Sequence, residues 1–308
     1  NGRDNWLMSL AGQTGVKYLL VIEKQTAASG QHFQQKNFLN SLLNSITPYL
    51  TMLSNTYQTP NIVGTVLNYC TVPAPDLGTI PKELQAQFLS RPLHNISSDL
   101  YDHWQGPAGS LYLFLGDLAG HDLPTAYCAK LIKGFLRDYR GQAVPLADIM
   151  RALNDKYCQV QKQGSLSKMF TGIILKIDPA GILSSVSAGH PPLLIVPVNG
   201  KPRLLPQKQL GTLPPFGSSY EKDTLNTAQP IYRLKEGDRL FIYTDGLIER
   251  KNMEDKGFGL KNLTNYLRLN RKLDLEQLIN GLEQSLNDFA EGRKASDDLT
   301  LIGLEYTP

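Results

Sequence analysis

Cysteine is scarce in this chain, and its three copies, Cys70, Cys128 and Cys158, are odd in number and far apart. They match no zinc-ligand spacing and no disulfide framework, so a reducing, cytoplasmic setting is expected. Long apolar runs are missing too. Nothing approaches the roughly 20 residues a membrane helix needs, and no signal-peptide pattern is present, so no membrane contact is expected of this chain. Asn1 rather than Met opens the sequence, which leaves an upstream sensor or membrane region open. Neither sign of charge dominates. Thirty-one basic residues stand against 28 acidic ones, a net charge of +3 spread without long blocks, which is too mild to argue for nucleic acid. There are no internal repeats, no low-complexity segments and no P-loop, and the last of these speaks against nucleotide-driven phosphoryl transfer.

What is present is a globular composition, 41% hydrophobic and 19% charged, in a chain long enough for one large domain or a domain with an appendage. Val16 to Glu23 reads as a strand and Thr26 to Gln31 as a loop. From Phe33 to Tyr57 the apolar residues Leu39, Leu43, Ile46, Leu50, Leu53 and Tyr57 recur at spacings of four and three. That is a helical seam suited to a partner helix or to the chain's own domain, with a kink at Pro48. Thr59 and Pro60 end the helix, and Ile62 to Val72 reads as a strand. Residues 73 to 95 carry Pro73, Pro75, Pro81 and Pro92 around a short expected helix, Glu83 to Leu89, and read as a surface excursion.

Beyond it strands and helices alternate. The pattern predicts a strand at Leu111–Leu115, helices at Pro124–Tyr139 and Leu146–Gln161, and a hairpin of Phe170–Ile177 with Ile182–Val186 around Asp178-Pro179-Ala180-Gly181. A second hairpin, Leu193–Val198 with Pro202–Leu205, flanks Asn199-Gly200. A buried strand at Arg239–Tyr243, helices at Leu260–Leu269 and Leu275–Ala290, and a last strand at Leu299–Tyr306 complete the reading.

Four aspartates sit where strands end or loops begin: Asp99 in ISSDLYD, Asp117 in LYLFLGDLAGHD, Asp245 in RLFIYTDGLIE and Asp297 in ASDDLTLIGL; Asp117 and Asp245 lie just past apolar strand runs and Asp297 just before one. Singly, each reads as a turn or cap residue, and Asp245-Gly246 as a hairpin turn. Jointly they point elsewhere, because several carboxylates converging at buried strand ends need a cation to neutralise them. Hard oxygen ligands of this kind suit Mg²⁺ or Mn²⁺.

The segments SSDLYD, GDLAGHD, AGHPP, YTDG and DDLT, in that order, resemble those of the PPM metal-dependent serine/threonine phosphatases, and specifically the SpoIIE-type branch that regulates sigma-factor switches. The resemblance covers roughly residues 60 to 306. It implies an α+β fold, an α-β-β-α sandwich of two mostly antiparallel sheets flanked by helices. Residues 60–308 would form the phosphatase domain. Residues 1–59 would be a short regulatory strand-helix segment, similar to the tail of a GAF-type sensor domain, whose helix pairs with a second copy in a homodimer.

The resemblance also implies roles. Asp117 would bridge two divalent cations, Mn²⁺ or Mg²⁺, and the carbonyl of Leu118 would add a ligand. Asp99 would bind one ion, and Asp245 and Asp297 the other, with Asp298 either a further ligand or an acceptor behind them. His121 would orient water or protonate the leaving group, or else fix its loop by a hydrogen bond. His190 reads as a turn-stabilising residue near the site. Arg250 and Lys251 are read as solvated.

Three departures stand out. Ser97 and Ser98 replace the family's two glycines, and Asp122 replaces the glycine of its GHG segment. The connection through 73–95 is also longer than usual. The expected activity is hydrolysis of phosphoserine or phosphothreonine on a regulatory protein, which the resemblance suggests to be a phosphorylated STAS-domain, anti-anti-sigma-type partner. The alternatives are a pseudophosphatase that binds a partner without turnover, and a hydrolase of small phosphoesters.

Overall fold

The computed structural model describes residues 5–11, 17–23, 80–93, 97–120, 123–163, 169–205, 211–218 and 230–308. At the start, β1 (Asn5–Ala11) and β2 (Lys17–Glu23) pair antiparallel as a hairpin. The second strand agrees with the sequence, while the first was not foreseen. The expected helix at 33–57, the strand at 62–72 and the boundary at 59/60 lie outside the described residues.

The next element corrects the sequence reading. Instead of a helix at Glu83–Leu89, residues Leu84–Arg91 form a strand, β3. Its composition, Leu-Gln-Ala-Gln, favours helix weakly, but its apolar residues serve two faces at strand spacing. Leu84, Ala86 and Phe88 join the core between the sheets, and Leu89 joins the core on the opposite side. Tertiary burial overrides local propensity here. The supposed surface excursion is thus, over 84–91, part of a sheet.

The remaining strands are β4 (Asp99–Gln105), β5 (Leu111–Leu118), β6 (Phe170–Ile177), β7 (Ile182–Ala188), β8 (Leu194–Val196), β9 (Arg203–Leu204), β10 (Gly211–Leu213), β11 (Pro230–Arg233), β12 (Arg239–Tyr243) and β13 (Leu299–Tyr306). The helices are α1 (Leu123–Leu136), α2 (Leu146–Gln163), α3 (Asp245–Ile248), α4 (Gly259–Leu269) and α5 (Leu275–Ala290). Both expected hairpins form, β6–β7 and β8–β9. The strand β4 and the short strands β10 and β11 were not foreseen, nor was α3. Asp245-Gly246 opens a helical turn rather than a hairpin.

Two sheets result. One runs β10-β7-β6-β5-β4 with β11 also on β7, and the other runs β3-β13-β12-β8-β9. All pairings are antiparallel except β10 with β7. Alternation along β5 shows how the layers are assigned: Leu111, Leu113 and Leu115 point into the core between the sheets, and Tyr112 and Phe114 into the core under α1 and α2. A third core lies between the second sheet and helices α4 and α5. In α5, Leu275, Leu278, Ile279, Leu282 and Leu286 recur at helical spacing on the buried face, and Asp274 caps the helix by accepting from the Gln277 N–H at 2.7 Å. The order of layers is helix, sheet, sheet, helix, as expected.

Candidate active site

The ends of four strands supply the site. Asp99 is the first residue of β4, and it stands opposite Asp117, next to last in β5, in the antiparallel register; Asp117 in turn faces Thr171 on β6. From the other sheet, β12 ends at Tyr243 and leads through Thr244 to Asp245, while Asp297 and Asp298 immediately precede β13. Because β12 and β13 are antiparallel neighbours with Tyr243 opposite Leu301, the end of one meets the start of the other.

Direct contacts tie the two sheets together here. Thr244 Oγ1 donates to Asp99 Oδ2 at 3.0 Å and accepts the Thr300 N–H at 3.0 Å. Ser98 donates its N–H to Asp298 Oδ2 at 2.7 Å and its hydroxyl to the same oxygen at 2.6 Å. Asp297 Oδ1 accepts the N–H of Asp298 at 2.9 Å.

Electrostatics shows how near the acids lie to one another. Burial pushes the Asp117 carboxyl up to about 10, and the charges of Asp99, Asp245 and Asp297, with a hydrogen bond to Asp245, add to it. The Asp99 carboxyl, 5% exposed, is pushed up to about 7. Burial is the main cause, with help from Asp298 and Asp297 and opposition from the Thr300 and Thr244 hydroxyls. Every charged neighbour that acts strongly on these two is another acid. Asp99 Oδ1 is buried without a partner in hydrogen-bond geometry. Among the described residues no three His, Cys, Asp or Glu side chains close into a ligand cage. A spare buried oxygen and a strongly acid-enriched, oxygen-only donor set nevertheless fit a hard divalent cation.

The sequence-derived residues fall as follows. Asp99, Asp117, Asp245 and Asp297 are in one neighbourhood. Leu118, its side chain buried, ends β5 opposite Phe170. His121 and Asp122 lie outside the described residues. His190 is wholly buried. Its Nδ1 lies 3.0 Å from Thr171 Oγ1, and its N–H donates to Ser187 Oγ at 3.2 Å. Burial lowers its ring to about 3, partly offset by a hydrogen bond to the Tyr243 backbone, so it is neutral at ordinary pH. Lys251 pairs with Asp255 and Arg250 donates to the Arg293 carbonyl, while Arg293 itself pairs with Asp255.

Ser97 and Ser98 were singled out only as replacements of glycines, and the hydroxyls of Thr244 and Thr300 were not singled out at all. The available signal was their position, each within two residues of an acid: Ser-Ser-Asp, Thr-Asp and Asp-Asp-Leu-Thr.

Comparison with known proteins agrees with this architecture. The family described as Stage II sporulation protein E (SpoIIE) matches residues 107–307. Among solved structures, the SiaA-PP2C domain of Pseudomonas aeruginosa superposes with a TM-score of 0.63 at 16% identity, covering 89% of this chain and 98% of that one. The RsbU and RsbW domains of Rv1364c from Mycobacterium tuberculosis give 0.59 at 22% identity, covering 75% and 62%. Protein IcfG of Synechocystis sp. is 23% identical over 265 residues, 77% of this chain but 39% of that protein. The chain therefore spans well under half the length of that curated relative. The matched segment covers the end of β12, the start of β13 and the central strands of the first sheet, and the chain belongs to the SpoIIE family, with a PP2C-like fold.

Proposed function

We infer that this chain is a metal-dependent protein phosphatase that removes phosphate from serine or threonine of a regulatory protein. The observation carrying this reading is the pairing of Asp99 with Asp117 across β4 and β5, with Asp245 and Asp297 near enough to act on Asp117. Asp99, Asp117, Asp245, Asp297 and the Leu118 carbonyl would hold two divalent cations, Mn²⁺ or Mg²⁺. Such a pair supplies Lewis acidity that makes water nucleophilic near neutral pH and offsets charge on the phosphoryl group.

The chain's own residues do the rest. The ends of β4 and β5, the turn after β12 and the start of β13 bring the carboxylates to one place. Thr244, held by the Thr300 N–H, orients Asp99, and the neutral His190, packed against Thr171, supports the strand pair that carries Asp117. His121 would position water or give a proton to the departing serine or threonine oxygen.

A phosphorylated STAS-domain protein is the proposed substrate. The solved relative that joins RsbU and RsbW domains in one chain supports a regulatory partner of this kind. Pairing of two copies through the helix expected from the sequence at 33–57 belongs to the same proposal, and a monomer in light scattering at high concentration would count against it. Among the described residues no helix is long and apolar enough to cross a membrane.

The decisive experiment is Mn²⁺-dependent hydrolysis of p-nitrophenyl phosphate and of a phosphoserine STAS-domain protein by wild type and Asp117→Ala. A loss of about a hundredfold or more, with folding retained, is expected. Equal rates would remove the assignment.

A further inference from the structure

We propose that Asp298 is a positioning residue which, through Ser97 and Ser98, sets the place of the Asp99 carboxylate, and that it is not itself a ligand. The inference rests on the metal-phosphatase reading above and deepens it.

The first ground is saturation. Asp298 is 2% exposed, and both of its oxygens are already engaged. Oδ1 accepts the Leu93 N–H at 2.6 Å. Oδ2 accepts the Ser98 N–H at 2.7 Å, the Ser98 hydroxyl at 2.6 Å and the Ser97 hydroxyl at 3.1 Å. Four donors meet a carboxylate with about four acceptor sites, three of them on Oδ2, and all four come from the loop before β4. These are charge-assisted bonds, which makes them the strong members of the network.

The second ground is continuity. While its hydroxyl donates to Asp298, Ser97 Oγ accepts the N–H of Asp99 at 3.1 Å. An unbroken path therefore runs from Asp298 through Ser97 to the Asp99 backbone. The Asp99 side chain is fixed from the other side by Thr244, whose hydroxyl is tied to the Thr300 N–H. The residue is held by segments about 145 and 200 positions away in the chain.

The third ground is chemistry. Of the four hydrogen bonds to Asp298, two come from serine hydroxyls. Glycines at 97 and 98 would supply neither, and Ser97 Oγ is also the acceptor for Asp99. The serines are therefore not a weakened form of a glycine loop. They are the means by which this chain couples the loop before β4 to the turn before β13.

The test is calorimetric titration of Mn²⁺ into the metal-stripped 308-residue chain, with thermal melts in the absence of metal and steady-state hydrolysis of p-nitrophenyl phosphate. The variants are Ser98→Ala, Ser98→Thr, Asp298→Asn and, for reference, Asp117→Ala. In Ser98→Ala and Asp298→Asn the Mn²⁺ affinity falls about tenfold or more, and kcat falls while KM changes little. Ser98→Thr, which keeps the hydroxyl, retains affinity.

If Ser98→Ala and Asp298→Asn only lower the melting temperature and bind Mn²⁺ as wild type does, while Asp117→Ala loses binding, the positioning role is overturned and the metal reading stands. A wild-type chain that takes up no Mn²⁺ overturns both. Should Asp298→Asn fail to fold, Ser98→Ala decides alone.

Discussion

Gly246 lies against the backbone of Asp298 so closely that a Cβ built on it would stand 1.9 Å from the Asp298 carbonyl oxygen. The obstacle is main chain, and it cannot retreat easily, because the Asp298 side chain is anchored to the loop before β4. The glycine after Asp245 is thus required by space, not by turn geometry. Gly246→Ala is expected to cost about 3 kcal/mol, at the upper end for overpacking, read from urea denaturation. A cost within a few tenths of a kcal/mol would contradict the close approach.

Metal-stripped protein should lose stability as pH rises. In the unfolded chain the carboxyls of Asp99 and Asp117 release their protons near 3.8, whereas in the fold Asp99 keeps its proton to about 7 and Asp117 to about 10. The folded state therefore binds more protons from about pH 4 upward, and stability falls at up to ~1.4 kcal/mol per pH unit for each group. His190 acts oppositely between about 6.5 and 3, since it stays neutral in the fold while the unfolded ring takes up a proton. One group against two leaves the carboxyls ahead. Urea midpoints at pH 5, 7 and 9 in chelator should fall for wild type and fall less for Asp117→Asn. Parallel curves would sink the idea.

Adding Mn²⁺ should reverse that penalty. A ligand bound only by the folded state at a hundred times its Kd contributes about 2.7 kcal/mol, roughly 5 to 10 °C in Tm for a domain of this size. Wild type is expected to show the shift, and Asp117→Ala and Asp245→Ala to lose most of it. An equal shift in all three would place the ion elsewhere.

Thr171→Val tests the support behind Asp117. The hydroxyl lies 3.0 Å from Nδ1 of a wholly buried histidine, and removing it leaves that nitrogen without this partner at a cost of about 1 to 3 kcal/mol. Valine suits a strand, so the β5–β6 pairing itself should persist. Loss of stability with unchanged circular dichroism is the expected result, and an unaltered urea midpoint would refute it.

Local pattern carried far in this chain. The apolar run of Leu111–Leu115, the turn cluster at 178–181 and the 3–4 spacing in Leu275–Ala290 each produced the element they suggested. Such signals are written in neighbouring residues and need no knowledge of the rest of the fold. Where the reading failed, at Leu84–Arg91, the deciding contact was with β13, more than 200 residues away, whose register pairs Leu84 with Tyr306. Nothing local distinguishes an edge strand rich in Gln and Ala from a short helix.

The same division holds at the site. By itself the sequence determined that Asp117, Asp245 and Asp297 flank apolar strand runs, because a carboxylate beside such a run is a short-range pattern, while Asp99 was a candidate only through the resemblance of SSDLYD. Only the tertiary structure decided that Asp298 is occupied by Ser97, Ser98 and Leu93, and that Asp99 faces Asp117 while resting on Thr244. Those relationships depend on strand register and on the meeting of two sheets, and both are fixed by burial of the intervening core rather than by any residue's immediate neighbours.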